Sequence, residues 1–145
     1  MSNIVNQLNQ LLSDYQVYYQ NLRGFHWNIK GRDFFELHVK FEELYNDSAV
    51  KIDEVAERIL TLGETPLHSF EDYSATSQIS PVKNTSEGET CVREIVGNMN
   101  YLVKLQKDIR KEAEESDDQA TADQLATYVE EQEKSLWMYK SWLGE

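Results

Sequence analysis

The chain has few of the residues that interrupt helices. Six glycines and two prolines punctuate 145 residues, and both prolines, Pro66 and Pro81, lie in the middle third. Two long stretches are left open to helix formation, which argues against an all-β fold. Cysteine is nearly missing: Cys91 stands alone, so no internal disulfide can form, and a reducing compartment, by default the cytoplasm, is expected. No apolar run approaches the length of a membrane span, and the opening MSNIVNQLNQLL has no basic residue ahead of its apolar positions. The expectation is a soluble, unexported protein with no membrane partner. Positive charge is scarce as well. Fourteen basic side chains face 26 acidic ones, a net charge of −12; before Lys30 the only basic residue is Arg23, and the chain ends KSWLGE. Without a cationic tail to neutralise phosphates, direct DNA binding is disfavoured.

What is present is enough to fold. Hydrophobic residues make up 40% of the chain and aromatic ones 11%, above the range of disordered sequences. At this length one domain over 1–145 is expected. Ile4, Leu8, Leu11, Leu12, Tyr15, Tyr18, Tyr19 and Leu22 recur at three- and four-residue steps, so Ser2 to about Asn28 reads as one amphipathic helix ended by Gly31. A second helix runs from about Asp33 to Leu62 and stops at Gly63, with Pro66 beyond. The span from Glu64 to Ser86 is too long for a bare loop and predicts a short helix near Phe70 to Thr76. From Glu87 a third stripe carries Val92, Ile95, Val96, Met99, Leu102, Leu105 and Ile109, and a fourth carries Leu125, Tyr128, Val129, Leu136 and Tyr139. The fold class is therefore all-α: two tight helical hairpins joined by one long crossover, which is the ferritin-like variant of the four-helix bundle.

The chemistry sits on the second helix. At about 100° per residue, Phe34, Leu37, Phe41, Leu44, Ile52, Val55, Ile59 and Leu62 share one stripe, which is core. His38, Glu42, Asp53 and Glu57 share another arc, beside Phe35, Ala49, Val50 and Leu60. Solvated faces rarely mix such residues; a face pressed against another surface does, and its charges then need a cation or partners. His38 and Asp53 are 15 residues apart, about 22 Å along the helix, too far to share an ion. Yet positions 38 and 57, and positions 42 and 53, are symmetric about one midpoint between Asp47 and Ser48. Two copies of the helix packed antiparallel across a two-fold axis would set His38 against the partner's Glu57 and Glu42 against the partner's Asp53. Two equivalent sites per dimer follow.

His26 joins them. It precedes Gly31 by five residues and His38 follows by seven, so on adjacent antiparallel helices both imidazoles sit about 8–10 Å below the turn. Carboxylates gathered this closely repel one another unless a divalent ion holds them. Imidazole and carboxylate ligands without thiolate suit Fe(II), Mn(II) or Zn(II). Taken singly, Trp27, Trp137 and Trp142 read equally well as core.

The segment His26-Trp27-Asn28-Ile29-Lys30-Gly31, then Leu37-His38 and Glu42, resembles the first signature of the Dps family, the mini-ferritins that protect starved cells. Ile52-Asp53-Glu54-Val55-Ala56-Glu57-Arg58, with Leu62-Gly63 and Pro66, resembles the second. The resemblance covers the whole chain. It implies a hollow dodecamer built from two-fold dimers that oxidises Fe(II) between subunits, preferring hydrogen peroxide to dioxygen, and stores ferric mineral inside. On that carry-over His26, His38 and Glu42 bind iron from one subunit and Asp53 and Glu57 from its partner. Trp27 corresponds to the aromatic beside the centre and would act as electron donor. Asp118 and Asp123, in SDDQATADQL, resemble the acidic three-fold channel. Two departures stand out: Glu42 occupies a position that is most often Asp, and the lysine-rich N-terminal extension of DNA-condensing members is missing. The competing readings are an oligomeric scaffold whose metal staples a dimer without redox turnover, and a DNA-compacting protein.

Overall fold

Helix α1 (Asn3–Asn28) buries Leu8, Leu11, Leu12, Tyr15 and Leu22 almost completely in the computed structural model, which describes residues 3–145. The predicted start at Ser2 lies outside the described residues. Burying each of these side chains contributes about 1.5–3 kcal/mol relative to exposure. Gly31, at φ 110°, makes the tight reversal into α2 (Phe34–Thr61), a backbone conformation that a Cβ would strain. Gly63, at φ 90°, ends α2.

The short helix α3 (Phe70–Thr76) falls where the crossover length predicts one, and the Ser69 side chain caps it by accepting from the Asp72 N–H. Helix α4 (Gly88–Glu115) and helix α5 (Gln119–Trp142) form the second hairpin. Asp118 caps α5 by accepting from the Thr121 N–H. Among the described residues there is no strand, only one isolated bridge between Lys30 and Glu87.

Helix α1 packs on α2, and α4 on α5, while α1 also meets α4 and α3. The four long helices share one hydrophobic cluster. Of the α2 core stripe, Leu37, Phe41, Val55 and Ile59 are buried, and Phe34, Leu44, Ile52 and Leu62 pack against the cluster from its edge. The crossover is tied down by polar groups on α1. Asn9 accepts from the Leu67 N–H and Asn21 from the Val82 N–H. The buried Asp14 carboxylate accepts from the Gln78 N–H at 2.7 Å, the Tyr101 hydroxyl at 2.6 Å and the Ser77 hydroxyl at 3.1 Å. These bonds satisfy buried groups that would otherwise oppose folding.

Inside the bundle, Tyr15, Gln106 and Gln132 close a ring. The Tyr15 hydroxyl donates to Gln106 Oε1, Gln106 Nε2 to Gln132 Oε1 at 2.7 Å, and Gln132 Nε2 back to the Tyr15 hydroxyl at 2.7 Å. The ring is neutral and offers no carboxylate to an ion. Two of the three tryptophans depart from the core reading: Trp27 is 56% and Trp137 65% exposed, while Trp142 packs on the cluster. Each sits on an outward-facing arc of its helix that period alone did not separate from the core stripe.

Candidate metal centre

His26 comes from the last turn of α1 and His38 from the second turn of α2, and the Gly31 reversal sets them level. Their rings stack with centroids 3.8 Å apart and planes 10° from parallel. Each imidazole is bound to the other's backbone: His26 Nδ1 lies 2.6 Å from the His38 carbonyl oxygen, and His38 Nδ1 lies 2.8 Å from the His26 carbonyl oxygen. A carbonyl can only accept, so both Nδ1 atoms carry the proton. In the neutral rings both Nε2 lone pairs are then free, the arrangement in which histidine ligates a metal while its other nitrogen is anchored.

Glu42 stands one turn beyond His38, and its Oε1 lies 3.6 Å from His26 Nε2. That is longer than a good hydrogen bond. It matches the spacing of two ligands that each sit about 2.0–2.2 Å from a common ion. Donor types and tautomer suit a divalent cation, and the His26–Glu42 spacing suits two of its ligands.

Asp53 and Glu57 lie exposed further along α2, beyond reach of the imidazole pair by the axial distance given above. Among the described residues of one chain, no three His, Cys, Asp or Glu side chains gather closely enough to hold an ion. One chain thus supplies the His26–His38–Glu42 half of the predicted set and presents Asp53 and Glu57 outward. Around them the same face of α2 exposes Phe35 (83%), Val50 (57%) and Leu60 (57%), an apolar surface large for a free helix.

Trp27 follows His26 in sequence but turns away from it, under the Arg23 guanidinium, whose carbon is 4.9 Å from the indole. Asp118, read from the resemblance as a channel residue, is engaged inside its own subunit. Besides capping α5 it pairs with Arg58 at 3.0 Å. Burial alone would raise its pKa, but the hydrogen bonds from Thr121 and the Arg58 charge outweigh burial and hold its carboxyl below the usual carboxylate range. Asp123 is exposed and accepts from Gln119 at 2.7 Å.

Two features escaped the reading from sequence. Tyr45 meets the His26 ring edge-on at 5.3 Å; its position, seven residues after His38, was the available signal. Lys51 is buried between α2 and α5, paired with Asp47 at 2.7 Å and Glu131 at 3.0 Å. A lysine facing the neighbouring helix leaves no pattern that sets it apart from a surface one.

A four-helix bundle with a long crossover, an interior closed by the neutral Tyr15–Gln106–Gln132 ring and a histidine–carboxylate cluster toward its outer face defines a ferritin-like protein whose candidate metal centre lies outside the middle of the bundle. A family profile for the ferritin-like domain matches residues 5–145. A protein of Haemophilus influenzae of uncharacterised function is 44% identical over 95% of this chain and 86% of that one. A DNA protection during starvation protein of Porphyromonas gingivalis is 38% identical over 96% and 87%. The crystal structure of the Dps protein of Vibrio cholerae O1, described as one of the ferritin-like diiron-carboxylate proteins, superposes with a TM-score of 0.95 at 46% identity, covering 97% of this chain and 88% of that one. The chain belongs to the Dps family of the ferritin-like superfamily.

Proposed function

We propose that this protein is a ferroxidase and iron store that oxidises Fe(II) with hydrogen peroxide at centres shared by two subunits and holds the ferric product within a dodecameric shell. The reciprocal Nδ1–carbonyl bonds of His26 and His38 carry the reading. They leave both Nε2 atoms as acceptors, with Glu42 Oε1 3.6 Å from that of His26, on a face that a second subunit would complete. The midpoint symmetry of the ligand positions supports Asp53 and Glu57 of the partner subunit as the remaining ligands, and the exposed Phe35, Val50 and Leu60 support burial of this face against a second copy.

In this scheme Fe(II) is substrate. His26 and His38 bind it as neutral donors, Glu42 adds a charge, and the carboxylates of the partner stabilise the higher charge of Fe(III) better than that of Fe(II). Two Fe(II) ions supply the two electrons that cleave one peroxide to water. Zn(II) and Mn(II) suit the same ligands. A net charge of −12 per chain draws cations to the shell, and Asp123 is the better placed of the two channel candidates because its carboxylate faces solvent.

Anaerobic Fe(II) loading followed by peroxide titration tests the reading. Rapid ferric absorbance that saturates at one peroxide per two Fe(II) is the expected result. Binding of Fe(II) without that absorbance would leave a metal-stapled scaffold instead.

A further inference from the structure

Beside the imidazole pair runs a chain of aromatic contacts that the scheme above leaves unused. On one side Phe34 stacks on His38, with centroids 4.7 Å apart. On the other, Tyr45 meets His26 edge-on at 5.3 Å, and Tyr19 meets Tyr45 edge-on at 6.0 Å. The Arg23 guanidinium carbon then lies 5.2 Å from the Tyr19 ring and 4.9 Å from the Trp27 ring. The two sides differ chemically. Phenylalanine has no proton to lose and resists oxidation, whereas a phenol gives up an electron and its hydroxyl proton and stays neutral.

We propose that Tyr45, with Tyr19 behind it, is a one-electron relay for the centre. The inference rests on the ferroxidase reading and assigns these two residues a task within it. Peroxide needs two electrons, and a centre holding a single Fe(II) supplies one. Tyr45 supplies the other through the His26 ring. The O–O bond breaks, and each oxygen leaves with the proton it already carries, as hydroxide. The phenol proton passes to solvent and neutralises one of them. The products are Fe(III), hydroxide, water and a neutral tyrosyl radical, and no hydroxyl radical is released. Neither Tyr45 nor Tyr19 has a protein hydrogen-bond acceptor among the described residues, and both are half-buried, so water takes the proton. The next Fe(II), with a proton from solvent, restores the phenol.

Arg23 decides where the route stops. Tryptophan oxidised by one electron is first a radical cation, and a guanidinium 4.9 Å away opposes that charge. A tyrosyl radical is neutral, and the same guanidinium does not oppose it. The electron hole therefore rests on Tyr45 and Tyr19, and the exposed Trp27, the donor that the family resemblance suggested, is spared.

The test uses the assembled protein, grown with ring-deuterated tyrosine or with ordinary tyrosine, loaded anaerobically with no more than one Fe(II) per centre, mixed with peroxide and freeze-quenched for electron paramagnetic resonance. The expected result is a radical signal that tyrosine deuteration narrows, that Tyr45→Phe abolishes while keeping the ring against His26, and that decays sooner in Tyr19→Phe. In Arg23→Gln, peptide mass spectrometry is expected to find oxidation shifted onto Trp27. A signal that deuterated tyrosine leaves unchanged overturns the relay whatever the variants do, as does an identical signal in Tyr45→Phe; in either case normal ferric absorbance would leave the ferroxidase reading standing. Absence of ferric absorbance in the unaltered protein removes both.

Discussion

Cys91 shows how far burial alone sets the behaviour of a side chain. It is fully enclosed at the start of α4, and burial pushes its thiol up to about 11. At neutral pH it is protonated and out of reach. Iodoacetamide is expected to leave it unmodified in the native protein and to label it fully in denaturant, read by intact mass; native labelling on the same timescale would contradict the packing of α4. At the same scale, the convergence of His26, His38 and Glu42 was legible in the sequence, because helical period and distance from Gly31 suffice to place them. Their mutual bonds to backbone carbonyls were not, since those depend on the rotation of α1 about its axis, which no spacing reports. Tyr45 was hidden for the opposite reason. A tyrosine on a mixed face reads as filler until the ring it touches is known.

At the scale of elements, the start of α5 is tied both to its own first turn and to a neighbouring helix. Asp118 caps it and binds Arg58, which neighbours Glu57 on α2, so one carboxylate joins the α5 terminus to the helix that bears the proposed metal ligands. Asp118→Ala is expected to destabilise the subunit by about 1–2 kcal/mol through loss of the cap, measured as a lower melting temperature at fixed protein concentration. The pH dependence has a definite sign. The Asp118 carboxyl is held below its usual range in the folded state, so its contribution is present above the unfolded pKa and is lost as pH falls through the folded one. The gap between wild type and Asp118→Ala should therefore narrow in acid; a constant gap would mean that the cap carries no charge effect. The short α3 was legible because loop length demanded it and Ser69 marks its start. The clamps from Asn9, Asp14 and Asn21 were not, because polar residues on the inner face of α1 look like gaps in the stripe.

At the scale of the whole molecule, the proposed sharing of the centre between subunits has a countable consequence. Take His38→Ala and Asp53→Ala, each expected to abolish fast oxidation. When the two are dissociated, mixed in equal amounts and reassembled at random, a mixed dimer has both lesions at one site and none at the other. About one quarter of wild-type activity is expected to return. Recovery of none would place all the ligands within one chain. The four-helix arrangement was legible from periodicity, and the common midpoint of the ligand pairs is what suggests the two-fold relation. The interior ring of Tyr15, Gln106 and Gln132 was not, since glutamines at such positions pass for surface residues.

That ring also bears on the order of events in the life of the protein. The middle of the subunit is closed by groups that give and accept among themselves, and the buried Asp14 and Lys51 have protein partners. None of these groups waits for cargo to complete it. On the proposed function, the subunit would then reach its finished form before any metal is supplied, and stand ready when the metal comes.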